Sequence, residues 1–197
     1  DGGVFCCGSR NRILSLEDDN AGFMAWAIER QELRALLDGL PSGSRVYGEW
    51  LVPHSLKTYR DDAWRRFYVF DVLLADGEFM HFDDYSRACS AAQVDFIPCM
   101  MTSQNPSYEI LVGATERNQF LLKDNSGLGE GVVIKQYNWK SRFGRTTWAK
   151  LITNSFKDAH VKEMGGSVVN AKLVEADIAD EFITEHTVEK IVSKIRT

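Results

Sequence analysis

Glu130, Lys135 and Lys150 are the residues of this chain whose types and spacing speak most directly of chemistry. The first two lie in a short apolar run, Gly129-Glu130-Gly131-Val132-Val133-Ile134-Lys135, and the third follows in Trp148-Ala149-Lys150. Read as neighbouring strands, the two segments bring one carboxylate and two ammonium groups onto adjoining apolar ribbons. Alternation predicts Glu130, Val132 and Ile134 on one face and Val133 with Lys135 on the other, while Gly129 and Gly131 leave room for a ligand against the backbone. Such a set suits a metal-bound nucleotide phosphate. Lysines offset charge that develops on phosphate oxygens, and a carboxylate offers a hard divalent ion the oxygen ligand it prefers. The string by itself is short, and most strand glutamates and lysines are simply solvated, so the reading needs support from elsewhere.

Four further segments stand in a consistent order: Asp1-Gly2-Gly3, Ser9-Arg10-Asn11, Tyr47-Gly48-Glu49-Trp50 and Phe67-Tyr68-Val69-Phe70-Asp71. Together with the two above they resemble the motif series of the ATP-dependent RNA ligases, within the covalent nucleotidyltransferases. The resemblance is to the RNA ligase 2-like branch, where a Glu-Gly-Val-Val-Ile-Lys strand leads through a basic aromatic loop to Trp-Ala-Lys. It covers residues 1 to about 157, and the ordered set is far more specific than any one member.

That resemblance implies an α+β fold: a nucleotidyltransferase (ATP-grasp-like) domain of antiparallel sheets flanked by helices, with a short helical C-terminal segment. It implies joining of 5′-phosphate and 3′-hydroxyl RNA ends through lysyl-AMP and RNA-adenylate intermediates, with ATP and Mg2+ or Mn2+ as cofactors. The partner would be an RNA end, in a nicked duplex or a single strand, with no membrane involved. Glu130, Lys150 and Lys135 would be catalytic. Arg10 would contact phosphate or ribose, and Glu49 would hold the ribose or help Glu130 organise the metal. Phe70 would stack on the adenine, with Asp71 fixing the surrounding loop and Lys150 also touching the nucleotide. For three of these a plainer role stands beside the implied one: Arg10 as a surface arginine, Glu49 as a solvated strand residue, and Phe70 as core within the apolar run Phe67 to Leu74.

Two departures bear on activity. The family's nucleophilic lysine lies two positions before the Asp-Gly pair, and the sequence as written begins at Asp1. The expectation is a reading frame cut in mid-motif, whose chain performs at most the later steps. The second lysine of the final motif is also missing at spacing two, where Trp148 and Ile152 flank Lys150; Lys157 stands further on. Rival readings are a DNA ligase or capping-type nucleotidyltransferase, against which the lack of a recognisable OB-fold segment after Lys150 argues, and a catalytically inactive nucleotide- or RNA-binding module.

Composition sets the outer limits. With 197 residues and 44% hydrophobic content the chain buries one good core. Its net charge of −5 argues against indiscriminate coating of nucleic acid, yet a local basic groove is all that phosphate contacts require. One stretch has that character: Lys140, Arg142 and Arg145 interleave with Tyr137, Trp139, Phe143 and Trp148. Cations for phosphates and rings for bases suit single-stranded RNA, and a hairpin with aromatics packed inward and charges wet is the equal alternative. Cys6, Cys7, Cys89 and Cys99 form no Cys-x-x-Cys pair, and His54, His81, His160 and His186 show no metal spacing, which argues against zinc. With no signal peptide visible, a reducing cytoplasmic setting fits.

The elements that must position these residues follow from pattern and turn chemistry. Val4 to Cys7 reads as a strand, and Asn20 to Leu37 as one helix capped by Asn20 and ended by Gly39. Pro41 to Ser44 makes a turn. Arg45 to Val52 and Arg66 to Leu74 read as strands that would bring Glu49 and Asp71 into one sheet, and Asp76-Gly77 signals a hairpin into Glu78 to Phe82. Asp84 to Gln93 reads as a short helix, Val94 to Pro98 as a strand, Tyr108 to Leu122 as a long helix, and Asp124 to Gly129 as a polar turn delivering Glu130. Residues 1–157 are expected to form the nucleotidyltransferase domain and 158–170 a linker. Residues 171–197 would be amphipathic helix, either the start of an RNA-engaging domain or a pair packed on the core.

Overall fold

The computed structural model describes residues 5–53 and 58–153, all within one compact unit, Asp1–Phe156. The Asp1-Gly2-Gly3 segment, Val4, His54, His160, His186, Lys157, the expected linker and the expected C-terminal helices lie outside the described residues.

The architecture is α+β, with two small antiparallel sheets and flanking helices, as expected. Strand β1 (Arg45–Leu51) pairs with β2 (Arg66–Leu73), and Tyr47 stands opposite Asp71 while Glu49 stands opposite Tyr68. Strand β3 (Gly131–Ile134) pairs with β4 (Ala149–Ile152), and Val133 stands opposite Lys150. Glu49 and Asp71 therefore do share a sheet, while of the acid and two lysines only Lys150 lies within a strand, with Glu130 and Lys135 flanking β3 at either end.

β2 carries most of the core because both of its faces are covered. Phe67, Val69 and Val72 pack under the helices with Leu33, Leu36, Tyr85 and Cys89, while Tyr68 faces a smaller cluster with Leu51, Ala63, Tyr59 and Trp64. This two-sided burial is why the strand reads as a continuous apolar run rather than an alternating one. β1 bulges between Tyr47 and Gly48, where a Cβ on Gly48 would sit 2.4 Å from the Phe67 ring. Only glycine allows that approach.

The expected helix from Asn20 to Leu37 is two helices, α1 (Phe23–Ile28) and α2 (Gln31–Asp38). A continuous helix would carry the cationic head of Arg30 onto the apolar stripe of Phe23, Trp26 and Leu33. Instead Arg30 is extended, and its guanidinium lies 5.2 Å from the centre of the Trp26 ring. The N-terminal donors are met by Asp19 rather than Asn20: its carboxylate accepts from the amides of Met24 at 2.7 Å and Ala25 at 3.1 Å. Gly39 does end α2, and Ser44 N–H closes the turn on the Pro41 carbonyl.

Other differences are local. The expected strand at the N-terminus reduces to a bridge between Gly8 and Ile13, and the one at Val94 to Pro98 to a parallel bridge between Phe96 and Val69. Helix α3 (Phe82–Ala91) starts at His81, whose Nδ1 accepts from the Asp83 amide at 3.3 Å. Helix α4 (Tyr108–Thr115) stops well short of Leu122, because Asn118 turns away to bond the β3 entrance and Leu121 adopts a left-handed φ of 61°. No helix among the described residues is long and apolar enough to cross a membrane.

Candidate active site

The β3–β4 hairpin carries two charge pairs, one at each end of β3. At the entrance Lys150 donates to Glu130 Oε1, with side chains 49% and 39% exposed. By alternation Glu130 belongs on the face opposite Lys150. Glu130 stands one residue outside β3, and there its side chain reaches Lys150 nonetheless.

At the far end Lys135 Nζ lies 2.7 Å from Asp71 Oδ1 and also donates to the Phe70 carbonyl. Trp148 Nε1 donates to the other Asp71 oxygen at 3.1 Å. The ammonium is walled by the Tyr85 and Trp148 rings, 5.7 and 5.8 Å from their centres. Burial pushes the Asp71 carboxyl above its ordinary value, against the pull of Lys135 and Trp148. Burial also raises the Tyr85 and Tyr137 phenols beside that carboxylate, Tyr137 to about 12.

The two pairs do not meet. Lys135 follows Glu130 by 135 − 130 = 5 positions, about 16 Å of extended chain. Lys150 and Glu130 are half open to solvent, whereas Lys135 serves a buried carboxylate. Glu49 stands on β1, opposite Tyr68 in the other sheet. Burial and then the negative charges of Glu130 and Glu49 raise the Tyr59 phenol, so both carboxylates act on this one tyrosine. Phe70 is half-buried and Arg10 is exposed, on a turn closed by Ser9 N–H to the Arg12 carbonyl at 2.9 Å.

No group of three or more His, Cys, Asp or Glu able to hold a metal ion occurs among the described residues. Magnesium that travels with a nucleotide asks for less, taking one or two carboxylates and filling its shell with water and phosphate oxygens. Glu130, partly open at the entrance to β3, offers one such oxygen ligand.

The loop between Lys135 and Lys150 divides its aromatics. Tyr137 and Trp148 turn inward against each other, with His81 4.7 Å from Tyr137 and Phe79 5.3 Å from Trp148. Trp139 and Phe143 turn outward, 47% and 73% exposed, and the Arg142 guanidinium lies 4.7 Å over the Phe143 ring. Lys140 pairs with Glu78 of the 76–77 hairpin.

The glycines around Glu130 serve the protein's own packing. A Cβ on Gly129 would sit 2.7 Å from Asn118 Nδ2, and one on Gly131 1.9 Å from the Leu151 carbonyl oxygen, so the room expected for a ligand is filled. Nothing in the sequence singles out Tyr59, Asn118 or Thr153, because each joins the site through contacts distant in the chain. Trp148 is legible as part of the Trp148-Ala149-Lys150 motif, but its bond to Asp71 is not.

Comparison with curated proteins finds no match. The sequence model of the RNA ligase family matches residues 2–152, a span that includes Arg10, Glu49, Phe70, Asp71, Glu130, Lys135 and Lys150. With 151 of its 197 residues matched, the chain belongs to the RNA ligase family.

Proposed function

We propose that residues 1–157 are the nucleotidyltransferase domain of an ATP-dependent RNA ligase that joins a 5′-phosphate to a 3′-hydroxyl through lysyl-AMP and RNA-adenylate. The observation that carries this reading is the half-exposed Glu130–Lys150 pair at the mouth of the β3–β4 hairpin. Lys150 offers a mobile cation to phosphate oxygens, and Glu130 with Glu49 offers the oxygen ligands for Mg2+ or Mn2+. When bound, that ion offsets charge building on the phosphates. Phe70 presents a half-open ring for adenine, Arg10 an exposed fork for phosphate or ribose, and Lys135 holds Asp71 and the Phe70 carbonyl beneath that ring.

Sealing closes with a balanced displacement. The 3′-hydroxyl oxygen attacks the 5′-phosphorus of RNA-adenylate, the bond from that phosphorus to AMP breaks, AMP leaves, and the hydroxyl proton passes to solvent. Residues 158–170 would be a linker and 171–197 the start of an RNA-engaging domain. Four unpaired cysteines suit a reducing cytoplasmic setting.

The test supplies pre-adenylylated RNA and a 3′-hydroxyl acceptor with magnesium, which bypasses the lysyl-AMP step. Joined RNA and released AMP are expected, and both are lost in Glu130→Ala and Lys150→Ala. Wild-type sealing by either variant would sink the assignment. A form with Lys two positions ahead of Asp1 is expected to take covalent label from ATP and not from GTP.

A further inference from the structure

Glu130 lies one residue before β3, where the Thr153 amide carries the backbone pairing one step past the strand and the pairing then ends. A clasp of two other residues holds it. On one side Gly129 N–H donates to the Asn118 carbonyl at 3.0 Å, and Asn118 Nδ2 donates to the Gly131 carbonyl at 2.7 Å. Asn118 Oδ1 accepts from the Phe120 amide at 3.2 Å, which turns its amino group toward Gly131. On the other side Thr153 N–H donates to the Glu130 carbonyl at 2.9 Å, and its hydroxyl donates to the Gly129 carbonyl at 3.0 Å. Thr153 is only 7% exposed, so its hydroxyl is committed to this backbone rather than to water.

The clasp also accounts for both glycines. Asn118 occupies the space a Gly129 side chain would need, and the Leu151 carbonyl occupies that of Gly131. The tripeptide 129–131 is thus gripped from the end of the α4 connection on one flank and from the end of β4 on the other.

We infer that Asn118 and Thr153 are positioning residues for Glu130, fixing the backbone so that its carboxylate faces the metal-bearing phosphates. The inference rests on the role of Glu130 in the proposed ligase. Outer residues that orient a ligand carboxylate are worth about 10–100-fold in metal affinity or activity, because a carboxylate left to swing spends most of its time misdirected.

The experiment measures Mn2+ binding by electron paramagnetic resonance in the presence of ATP, and sealing of pre-adenylylated RNA against magnesium concentration, for Asn118→Ala, Thr153→Val, Thr153→Ser and Glu130→Ala, each checked for folding by circular dichroism; Mn2+ affinity is expected to fall in step with the magnesium dependence. Asn118→Ala and Thr153→Val are expected to raise the half-saturating magnesium concentration by about 10-fold or more. Thr153→Ser, which keeps the hydroxyl, is expected to behave as wild type. Unchanged magnesium dependence in folded Asn118→Ala and Thr153→Val, with Glu130→Ala inactive, overturns the clasp and leaves the ligase reading standing. Glu130→Ala sealing at the wild-type rate overturns the ligase reading and the clasp with it. If Asn118→Ala does not fold, the contrast between Val and Ser at position 153 decides, and equal impairment of the two overturns the role of the hydroxyl.

Discussion

Lys135 Nζ lies 2.7 Å from Asp71 Oδ1 across 64 positions of sequence, and the two side chains are 17% and 5% exposed. The ion pair joins the β3–β4 hairpin to the middle of β2, so one contact couples the two sheets. Burial disfavours the charged carboxylate, and Lys135 with Trp148 returns part of that cost by occupying both of its oxygens.

Breaking that pair from one side is expected to cost much more than removing it whole. Asp71→Leu leaves an ammonium half-walled by rings without its counter-charge, a loss of about 3–5 kcal/mol. Asp71→Leu with Lys135→Met is expected to be milder than either single change. Urea unfolding of the three variants measures this, and additive losses would mean that the pair is not coupled.

The pair at the other end of β3 behaves in the opposite way. Lys150 and Glu130 are 49% and 39% exposed, so their attraction is screened and is worth less than about 1 kcal/mol to stability. Lys150→Ala is expected to unfold at nearly the wild-type urea midpoint while its sealing falls by about 100-fold or more.

Gly131→Ala is expected to prevent the hairpin from closing. Its new Cβ would fall 1.9 Å from the Leu151 carbonyl oxygen, and this backbone atom has no rotamer to escape into. Overpacking of this kind costs about 1–3 kcal/mol or more. Amide hydrogen exchange across Gly131–Ile134 and Ala149–Ile152 reports it, with faster exchange confined first to those strands.

Stability is expected to fall as pH rises above about 9. Burial pushes the Cys7 and Cys89 thiols up from 9.0 to about 11, and the Tyr137 phenol from 10.0 to about 12, with Tyr85 raised in the same direction. The unfolded chain loses these protons first, so the folded state binds more of them and the slope of stability with pH is negative. Each group contributes fully below its unfolded value and is lost as pH passes its folded value, at up to about 1.4 kcal/mol per pH unit. Urea midpoints from pH 8 to 11 test the sign, and Tyr137→Phe is expected to flatten the upper part of the curve.

The outward tip of the 136–148 loop is expected to matter for RNA and not for nucleotide. Arg142 stacked on an exposed Phe143 offers a platform for a base, worth about 1–3 kcal/mol per stacked base. Phe143→Ala should weaken binding of a single-stranded oligonucleotide in fluorescence anisotropy and leave ATP binding unchanged.

Much of the fold was legible because its signals act over a few residues. Alternation and apolar runs mark β1 to β4, Asp76-Gly77 and Pro41 to Ser44 mark turns, and Gly39 marks a helix end. The same local grammar exposes Glu130 and Lys150, since each stands in or beside a short apolar strand. Tertiary structure decided the rest. It broke the expected helix at Arg30, whose extended backbone accompanies the stacking of its guanidinium on the Trp26 ring. It committed Lys135 to Asp71, turned Tyr137 and Trp148 inward and left Phe143 outside, and filled the space beside Gly129 and Gly131 with Asn118 and Leu151. Those outcomes depend on side chains from different segments competing for the same space, in the case of Lys135 and Asp71 across 64 positions, and no local pattern records which of them wins.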